Sequence, residues 1–169
     1  LAIVDPPYGI KIQQSGGTPE HLGFKNYTKK HWDNNIPSKE YFEQLFRVSK
    51  NQIIWGANYY TKYLPSSMGW VFWDKGQDLT MSDGELAFTS FQKALRRKII
   101  NRAEIKKDVA IHPTQKPIRL YRWLLENYAK PTDKILDTHL GSGSIAIACH
   151  YFGTEEFVGI EIDKEYFDM

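Results

Sequence analysis

The sequence contains a single cysteine, Cys149, and no apolar run that approaches the roughly 20 residues a membrane-spanning helix needs. One cysteine excludes an internal disulfide framework and a cysteine-based metal site. No signal-peptide pattern opens the chain, so we expect a cytoplasmic protein with no membrane partner. The length of 169 residues suits one compact domain, and 41% apolar with 25% charged residues is typical of soluble globular proteins.

The net charge is only +2, but the basic residues are unevenly distributed. Seven of them fall between positions 93 and 107, against the single acid Glu104: Lys93, Arg96, Arg97, Lys98, Arg102, Lys106 and Lys107. Such a concentration favours a polyanionic partner. Taken alone, a segment of this kind is more often a solvated helix face.

Hydrophobic patterning predicts alternating strands and helices. We expect strands at residues 1–4, 52–55, 70–73, 85–91, 134–137 and 157–162. Helices are expected after Ser38, from Pro117 as the first helical residue, and in the segment that Gly153 ends. This alternation predicts an α/β fold with a mostly parallel, doubly wound sheet. Because the chain opens inside an apolar strand, we treat it as a fragment: one catalytic domain over residues 1–169.

A glycine turn separates the fifth predicted strand from the following helix. Gly141 and Gly143 allow the backbone to approach a ligand closely, and Glu161 lies twenty residues beyond Gly141. In nucleotide-binding α/β folds, an acid at about this distance binds ribose hydroxyls. The turn therefore indicates a nucleoside-containing cofactor, and it leaves a dinucleotide and S-adenosylmethionine both open.

The sequence Asp5-Pro6-Pro7-Tyr8 directly follows the first strand. An exocyclic amine of a nucleic-acid base is a poor nucleophile, because its lone pair is delocalised into the ring. A carboxylate and a backbone carbonyl that accept its two hydrogens would free that lone pair, and Asp5 with the Pro6 carbonyl can do so. Tyr8 can stack on the base. The alternative is a simple strand terminator with an aromatic residue at the rim.

Together these motifs resemble the amino-methyltransferases of nucleic acids, and especially the DNA adenine-N6 methyltransferases of the permuted beta class. The order is the same: Asp5 to Tyr8, a variable segment, His112 to Pro117, then Asp137 to Ser144, and Gly159 to Asp163. The resemblance implies a Rossmann-like S-adenosylmethionine-dependent methyltransferase fold and methyl transfer to adenine N6 in DNA. It also implies no metal, and an upstream edge strand and acidic motif that precede this chain.

The resemblance implies roles for individual residues. Asp5, Pro6, Pro7 and Tyr8 would hold the flipped base. The cofactor, S-adenosylmethionine, would be bound by a second set: His112, Thr114, Gln115 and Lys116 near its methionine carboxylate, Asp137, Gly141 and Gly143 around its methionine part, Glu161 at its ribose and Ile162 against its adenine. His139 departs from the pattern, because relatives more often carry phenylalanine there.

Methylation of a paired base requires that the base leave the stack while the backbone is held. We assign the seven basic residues, in a short recognition insert at about residues 92–111, to the DNA phosphates. Lys25, Lys29, Lys30 and His31 are a second choice. Trp32 and Trp55 are further candidates for stacking, with core packing the better expectation for Trp55.

Other functions remain open from the sequence. The same fold methylates cytosine N4, a guanine amine in ribosomal RNA, or a glutamine amide, although aspartate at position 5 favours adenine. A nicotinamide-dependent oxidoreductase would use the glycine turn alone, and a catalytically silent DNA-binding module would use the basic segment alone. A homodimer and a cognate restriction enzyme are compatible with the resemblance. The methyltransferase hypothesis requires that Asp5 and Tyr8 lie beside the glycine turn.

Overall fold

A computed structural model describes residues 1–11, 33–76, 82–101 and 115–168. In these ranges the strands are β1 (Ala2–Val4), β2 (Gln52–Trp55), β3 (Trp70–Asp74), β4 (Gly84–Thr89), β5 (Arg96–Ile99), β6 (Lys134–Asp137) and β7 (Glu156–Gly159). The α-helices are α1 (Lys39–Val48), α2 (Ile118–Tyr128), α3 (Ser144–Phe152) and α4 (Lys164–Phe167). Short 3₁₀ turns occupy Ala57–Tyr59 and Thr61–Tyr63. None of the helices seen in these ranges is long and apolar enough to cross a membrane.

The strands form one sheet in the order β5-β3-β4-β2-β1-β6-β7. Strand β4 is antiparallel to both of its neighbours, and the other four pairings are parallel. The predicted mostly parallel α/β sheet is therefore confirmed. The reversed direction of β4 has a consequence for the site: its amino end lies at the same edge of the sheet as the carboxyl ends of β1 and β2.

The central strands read as continuous apolar runs because both of their faces are covered. Ile3 and Ile53 belong to a core built with helices α2 and α3. Val4 and Ile54, which point to the opposite face, belong to a second core built with α1. These two layers hold β1 rigidly, and so fix where the loop after it begins.

Several bounds differ from the sequence prediction by one or two residues, such as β4, which ends at Thr89 rather than at residue 91, and three differences are larger or affect the site. Helix α2 begins at Ile118, with Pro117 as the residue before it rather than its first residue. Strand β7 ends at Gly159, so Glu161 and Ile162 lie in the loop beyond it. The basic insert contains a strand that the sequence analysis did not predict, since β5 (Arg96–Ile99) pairs in parallel with β3 at the edge of the sheet.

Candidate active site

A cleft opens where the sheet order reverses, between the neighbouring parallel strands β1 and β6. Ligands of open α/β sheets bind at such a switch point, beyond the carboxyl ends of the strands. The cavity there has a volume of about 330 Å³. Its walls include Asp5, Pro7, Gln115, Lys116, Tyr121, Thr138, His139, Leu140, Gly141, Ser142, Glu161, Ile162, Asp163 and Tyr166. The expectation that the aspartate loop lies beside the glycine turn is confirmed.

The loop after β1 is held by hydrogen bonds at both ends. The Tyr8 hydroxyl lies 2.8 Å from Asp5 Oδ1. The buried Tyr60 hydroxyl lies 2.7 Å from the carbonyl oxygen of Pro6 and 2.6 Å from that of Pro7. Neither proline has an N–H with which to anchor the loop, so Tyr60 supplies the donor instead.

The ring of Tyr8 is fixed from two sides. It packs against the backbone of Gly56, where a Cβ atom would lie 2.1 Å from Cε1 of Tyr8. It also stacks on the ring of Tyr59, with centroids 5.1 Å apart and planes 17° from parallel. Tyr59 is 42% exposed, so this stacked pair borders solvent.

Lys116 is buried, with 2% of its side chain exposed, and it lies between two carboxylates. Its Nζ is 2.5 Å from Asp5 Oδ2 and 3.0 Å from Glu85 Oε2. Burial would lower the pKa of Lys116, but Asp5 and Glu85 outweigh it and the pKa is raised. Lys116 is therefore a charged group at the aspartate loop. It is not the surface cation that the sequence alone would favour, and its ammonium faces Asp5 rather than an open part of the cavity.

The two carboxylates differ in their environments. Burial raises the pKa of Asp5, Lys116 opposes that effect, and Glu85 adds to it. Burial also acts against ionisation of Glu85, but Lys116 and Lys75 outweigh it and bring its pKa to about 2. Lys75 lies 2.8 Å from Glu85 Oε1 on the far side from Lys116. The cluster thus pairs two carboxylates with two ammonium groups.

The glycine turn forms the opposite wall. Gly141 and Gly143 have φ angles of +54° and +69°, which glycine adopts at low cost. The Gly141 N–H donates to Glu161 Oε2 at 2.7 Å, and the Asp163 N–H donates to Oε1 at 2.8 Å. The Glu161 carboxylate is therefore held in place by the backbone at the cavity wall.

Asp137 and His139 lie at the end of β6. The Asp137 side chain accepts the backbone N–H of His139 at 3.0 Å. Burial raises the pKa of Asp137 to about 7. Burial lowers the pKa of His139 to about 4. The imidazole is thus neutral at physiological pH. The neutral ring packs edge-on against Tyr41.

Comparison with known proteins identifies the family. A DNA methylase family profile, N6/N4, matches residues 52–169. The chain belongs to this DNA methylase family. It is 26% identical over 215 aligned positions to the Type II methyltransferase M.HpaI of Haemophilus parainfluenzae, which covers all of this chain and 66% of that protein. It is 27% identical over 155 positions to the Type II methyltransferase M2.DpnII of Streptococcus pneumoniae, covering 92% of this chain and 53% of that one. The methylase chain thus spans about one half to two thirds of the length of these relatives.

Solved structures of low sequence identity share the fold. The M1.HpyAVI–SAM complex superposes with a TM-score of 0.63 at 20% identity, over 99% of this chain and 84% of the other. The PvuII DNA methyltransferase, described as cytosine-N4-specific, gives 0.53 at 13% identity, over 98% and 76%. These likenesses confirm the methyltransferase fold that the sequence resemblance implied.

The remaining predicted residues of the methylase divide into two groups. His112, Thr114, Arg102, Lys106 and Lys107 lie outside the described ranges, as do Lys25, Lys29, Lys30, His31 and Trp32. Of the described basic residues, Lys93 precedes β5, and Arg96, Arg97 and Lys98 lie in it. Three strands separate β5 from β1. Trp55 is fully buried in the core, as expected.

The basic residues in β5 and just before it point in different directions. Lys93 donates to the Asn127 carbonyl at the end of α2 at 2.7 Å and lies over the Tyr128 ring, so part of its hydrogen-bonding capacity is used within the protein; its phosphate contact stays a prediction. Arg96 and Lys98 share one face of the sheet, and Arg97 lies on the other, 3.8 Å from Asp74. Arg97 is 61% exposed in its side chain and stays available to a polyanion.

Proposed function

We propose that this chain is the catalytic part of an S-adenosylmethionine-dependent methyltransferase that methylates the N6 amine of adenine in DNA. The observation that carries the proposal is the shared cleft of the Asp5–Tyr8 loop and the glycine turn. Membership of the DNA methylase family supports it, as does the likeness to Type II methyltransferases.

The glycine-turn half of the cleft fits S-adenosylmethionine. A cavity of about 330 Å³ is large enough for a ligand of this size. Glu161 keeps lone pairs for two ribose hydroxyls after accepting two backbone N–H groups, because a carboxylate has about four acceptor sites. A Cβ atom on Gly143 would meet nothing within 4 Å, so space is open at that turn. The M1.HpyAVI–SAM complex, a structure of the same fold with this cofactor, supports the assignment.

Several residues would share the binding of the cofactor. We assign Asp137, Gly141 and Gly143 to its methionine part, Gln115 to its carboxylate, and Ile162, which is 93% exposed at the cavity rim, to its adenine. His112 and Thr114 stay predictions. When bound, the cofactor supplies a methyl group that its sulfonium already activates, so neither a metal nor a covalent enzyme intermediate is required.

The aspartate loop then prepares the amine. Asp5 and the Pro6 carbonyl accept its two hydrogens, which frees the nitrogen lone pair for attack. Both acceptors already have partners in the loop, Lys116 and Tyr8 for Asp5 and Tyr60 for Pro6. A carbonyl has two lone pairs, so that of Pro6 keeps capacity for the amine, and Asp5 accepts the amine at Oδ1, where the Tyr8 hydroxyl is the donor in this structure. Lys116 favours the ionised form of Asp5, which is the form that accepts.

The target base must leave the duplex to reach this loop. Tyr8 supplies the stacking surface in the proposal with the ring face that Tyr59 leaves uncovered, and the exposed Tyr59 offers a second aromatic face towards solvent. We assign contacts with phosphates to the basic segment, in which Lys93, Arg96 and Arg97 are described and exposed. Aspartate at position 5 favours adenine, while the likeness to a cytosine-N4-specific enzyme keeps N4-cytosine as the second candidate.

The test is transfer of labelled methyl from S-adenosylmethionine to duplex DNA, followed by hydrolysis and separation of the nucleosides. We expect the label in N6-methyladenine and its loss in Asp5→Ala. Asp168→Ala is the control, because Asp168 is an exposed carboxylate paired with Lys164. Label in N4-methylcytosine would contradict the base assignment, and label in protein or RNA alone would contradict DNA as the substrate.

A further inference from the structure

Glu85 lies outside every motif that the sequence analysis identified, yet it contacts the aspartate loop. Its Oε2 is 3.0 Å from Lys116 Nζ and 3.1 Å from the Tyr8 hydroxyl. It reaches them because β4 runs antiparallel to β2, which brings the amino end of β4 to the edge where β1 ends. Glu85 therefore touches two of the groups that hold Asp5.

We propose that Glu85 is a positioning residue for methyl transfer, which keeps Lys116 and Tyr8 correctly placed while Asp5 changes partners from Tyr8 to the substrate amine. The inference rests on the proposed function. It assigns no bond-making step to Glu85 and concerns only hydrogen bonds and charge.

The ammonium group of Lys116 supports this role through its number of donors. A lysine has three N–H groups, and Lys116 has three acceptors: Asp5 Oδ2 at 2.5 Å, Glu85 Oε2 at 3.0 Å and the Tyr8 hydroxyl at 3.0 Å. Each N–H has one acceptor, so the direction of the ammonium is fixed. Loss of Glu85 would leave one buried N–H unpaired and free the ammonium to tighten on Asp5.

The hydroxyl of Tyr8 supports the same role. It has one proton to donate and two carboxylate oxygens within reach, Asp5 Oδ1 at 2.8 Å and Glu85 Oε2 at 3.1 Å. When the amine takes Asp5 Oδ1, the hydroxyl can turn to Glu85 and stay hydrogen-bonded. Without that second acceptor, release of Asp5 would leave a buried hydroxyl unsatisfied, which is costly.

The position of Glu85 is fixed by an ion pair and by strand pairing. Lys75 binds its other oxygen at 2.8 Å, and the Glu85 backbone pairs with Trp73 in the sheet. Among the described residues, the titratable and charged groups that act electrostatically on Asp5 are Tyr8 on its own loop, Glu85 on β4, Lys116 before α2, Tyr121 on α2, Tyr60 between the two 3₁₀ turns, Tyr41 on α1 and Asp137 on β6. Of these, Lys116 and Glu85 act on Asp5 with opposite signs.

Because Glu85 raises the pKa of Asp5 and Lys116 lowers it, two variants of similar size should shift that pKa in opposite directions. Glu85→Gln removes a negative charge beside Asp5, so the pKa of Asp5 falls and the acid limb of the kcat–pH profile moves to lower pH. Lys116→Met removes the positive charge, so the limb moves to higher pH. We expect kcat of Glu85→Gln to fall by about tenfold, the effect of one hydrogen bond to a charged group, with KM for DNA unchanged.

The matched control is Glu156→Gln, an exposed strand glutamate that is 2.6 Å from Lys134. It lies at the amino end of β7, which is at the opposite edge of the sheet from Asp5, because β1, β6 and β7 are parallel and Asp5 follows the carboxyl end of β1. We expect its pH profile to match the wild type. A second readout, the carboxyl-carbon NMR titration of Asp5 in the folded variants, does not depend on activity. It should move in the same two directions.

The outcomes separate the inference from the proposed function. A wild type that transfers no methyl to DNA overturns the proposed function and the catalytic role of Glu85 with it. An active wild type whose Asp5 titration and acid limb are unmoved by Glu85→Gln overturns the inference alone. A lower melting temperature in Glu85→Gln with an unmoved acid limb means a structural role only, and also overturns it.

Discussion

The Tyr8 ring packs against the backbone of Gly56, and Gly56→Ala tests whether this contact is needed for methyl transfer. The added Cβ would lie 2.1 Å from Tyr8 Cε1 and 2.5 Å from Cδ1. Ordinary contact begins at 3.4 Å, so the ring must move by about 1.3 Å. Gly56 also has a φ of +68°, which costs a residue with a side chain about 1–2 kcal/mol.

Overpacking adds to this backbone cost. Forcing extra atoms into a packed site costs about 1–3 kcal/mol, so we expect Gly56→Ala to lower the free energy of unfolding by about 2–5 kcal/mol. A misplacement of about 1 Å in a positioned group reduces catalysis by about 100-fold, and we expect methyl transfer to fall by that order. Urea denaturation and a labelled-methyl assay, at a temperature where the variant is folded, measure the two effects.

Gly153→Ala is the matched control. Gly153 has a similar φ of +75°, but a Cβ there would meet nothing within 4 Å. The free energy of unfolding of Gly153→Ala should therefore fall only by the backbone cost of about 1–2 kcal/mol, and its activity should be unchanged. If the two variants had equal stability and equal activity, the packing of Tyr8 against Gly56 would not matter for either property, and the reasoning would be wrong.

Three further predictions concern single residues around the cleft. Tyr59→Ala should raise the Kd for duplex DNA by about tenfold in fluorescence anisotropy, because stacking on a base contributes about 1–3 kcal/mol; an unchanged Kd would remove Tyr59 from the stacking surface. Tyr60→Phe should lower the free energy of unfolding by about 1–3 kcal/mol in urea, because two loop carbonyls lose their buried donor; an unchanged midpoint would contradict that hydrogen bond. The pKa of His139 is about 4 in the folded protein against 6.5 ordinarily, so the unfolded chain binds the proton first and stability falls as the pH drops through that window. His139→Phe should therefore gain about 2 kcal/mol relative to the wild type between neutral pH and about pH 5, and a pH-independent difference would contradict the shift.

The sequence predicted those elements whose patterns are local. Strands β2 and β6 have the predicted bounds, because short apolar runs covered on both faces give an unambiguous signal. The predicted end of β7 at residue 162 was wrong because Ile160 and Ile162 continue the apolar alternation, although both side chains are exposed beyond the strand. Strand β5 was missed because Arg96–Ile99 has no apolar period; its strand conformation comes from pairing with β3.

The same distinction applies to the site. The Asp5–Tyr8 loop and the glycine turn were predictable because each motif is contiguous, and parallel strands bring their carboxyl ends to one edge of the sheet. Tyr60 was not predictable, because its role is a hydrogen bond to carbonyl groups 53 and 54 residues away in the chain. No periodicity or composition encodes a partner at that distance.

In the cluster of Asp5, Glu85 and Lys116, the direction of one strand determines which charged side chains meet. Asp5, Glu85 and Lys116 come from three distant segments, and they meet because β4 alone reverses direction among the described central strands. The motif at residues 112–117 led to the prediction that Lys116 lies near the methionine carboxylate of the cofactor, and it could not indicate that Lys116 contacts Asp5 and Glu85. With its three N–H groups bound to Asp5, Glu85 and Tyr8, Lys116 has no donor left for a methionine carboxylate. Its charge therefore acts on the Asp5 side of the cleft, where it favours the ionised form of the carboxylate that accepts the amine in the proposed function.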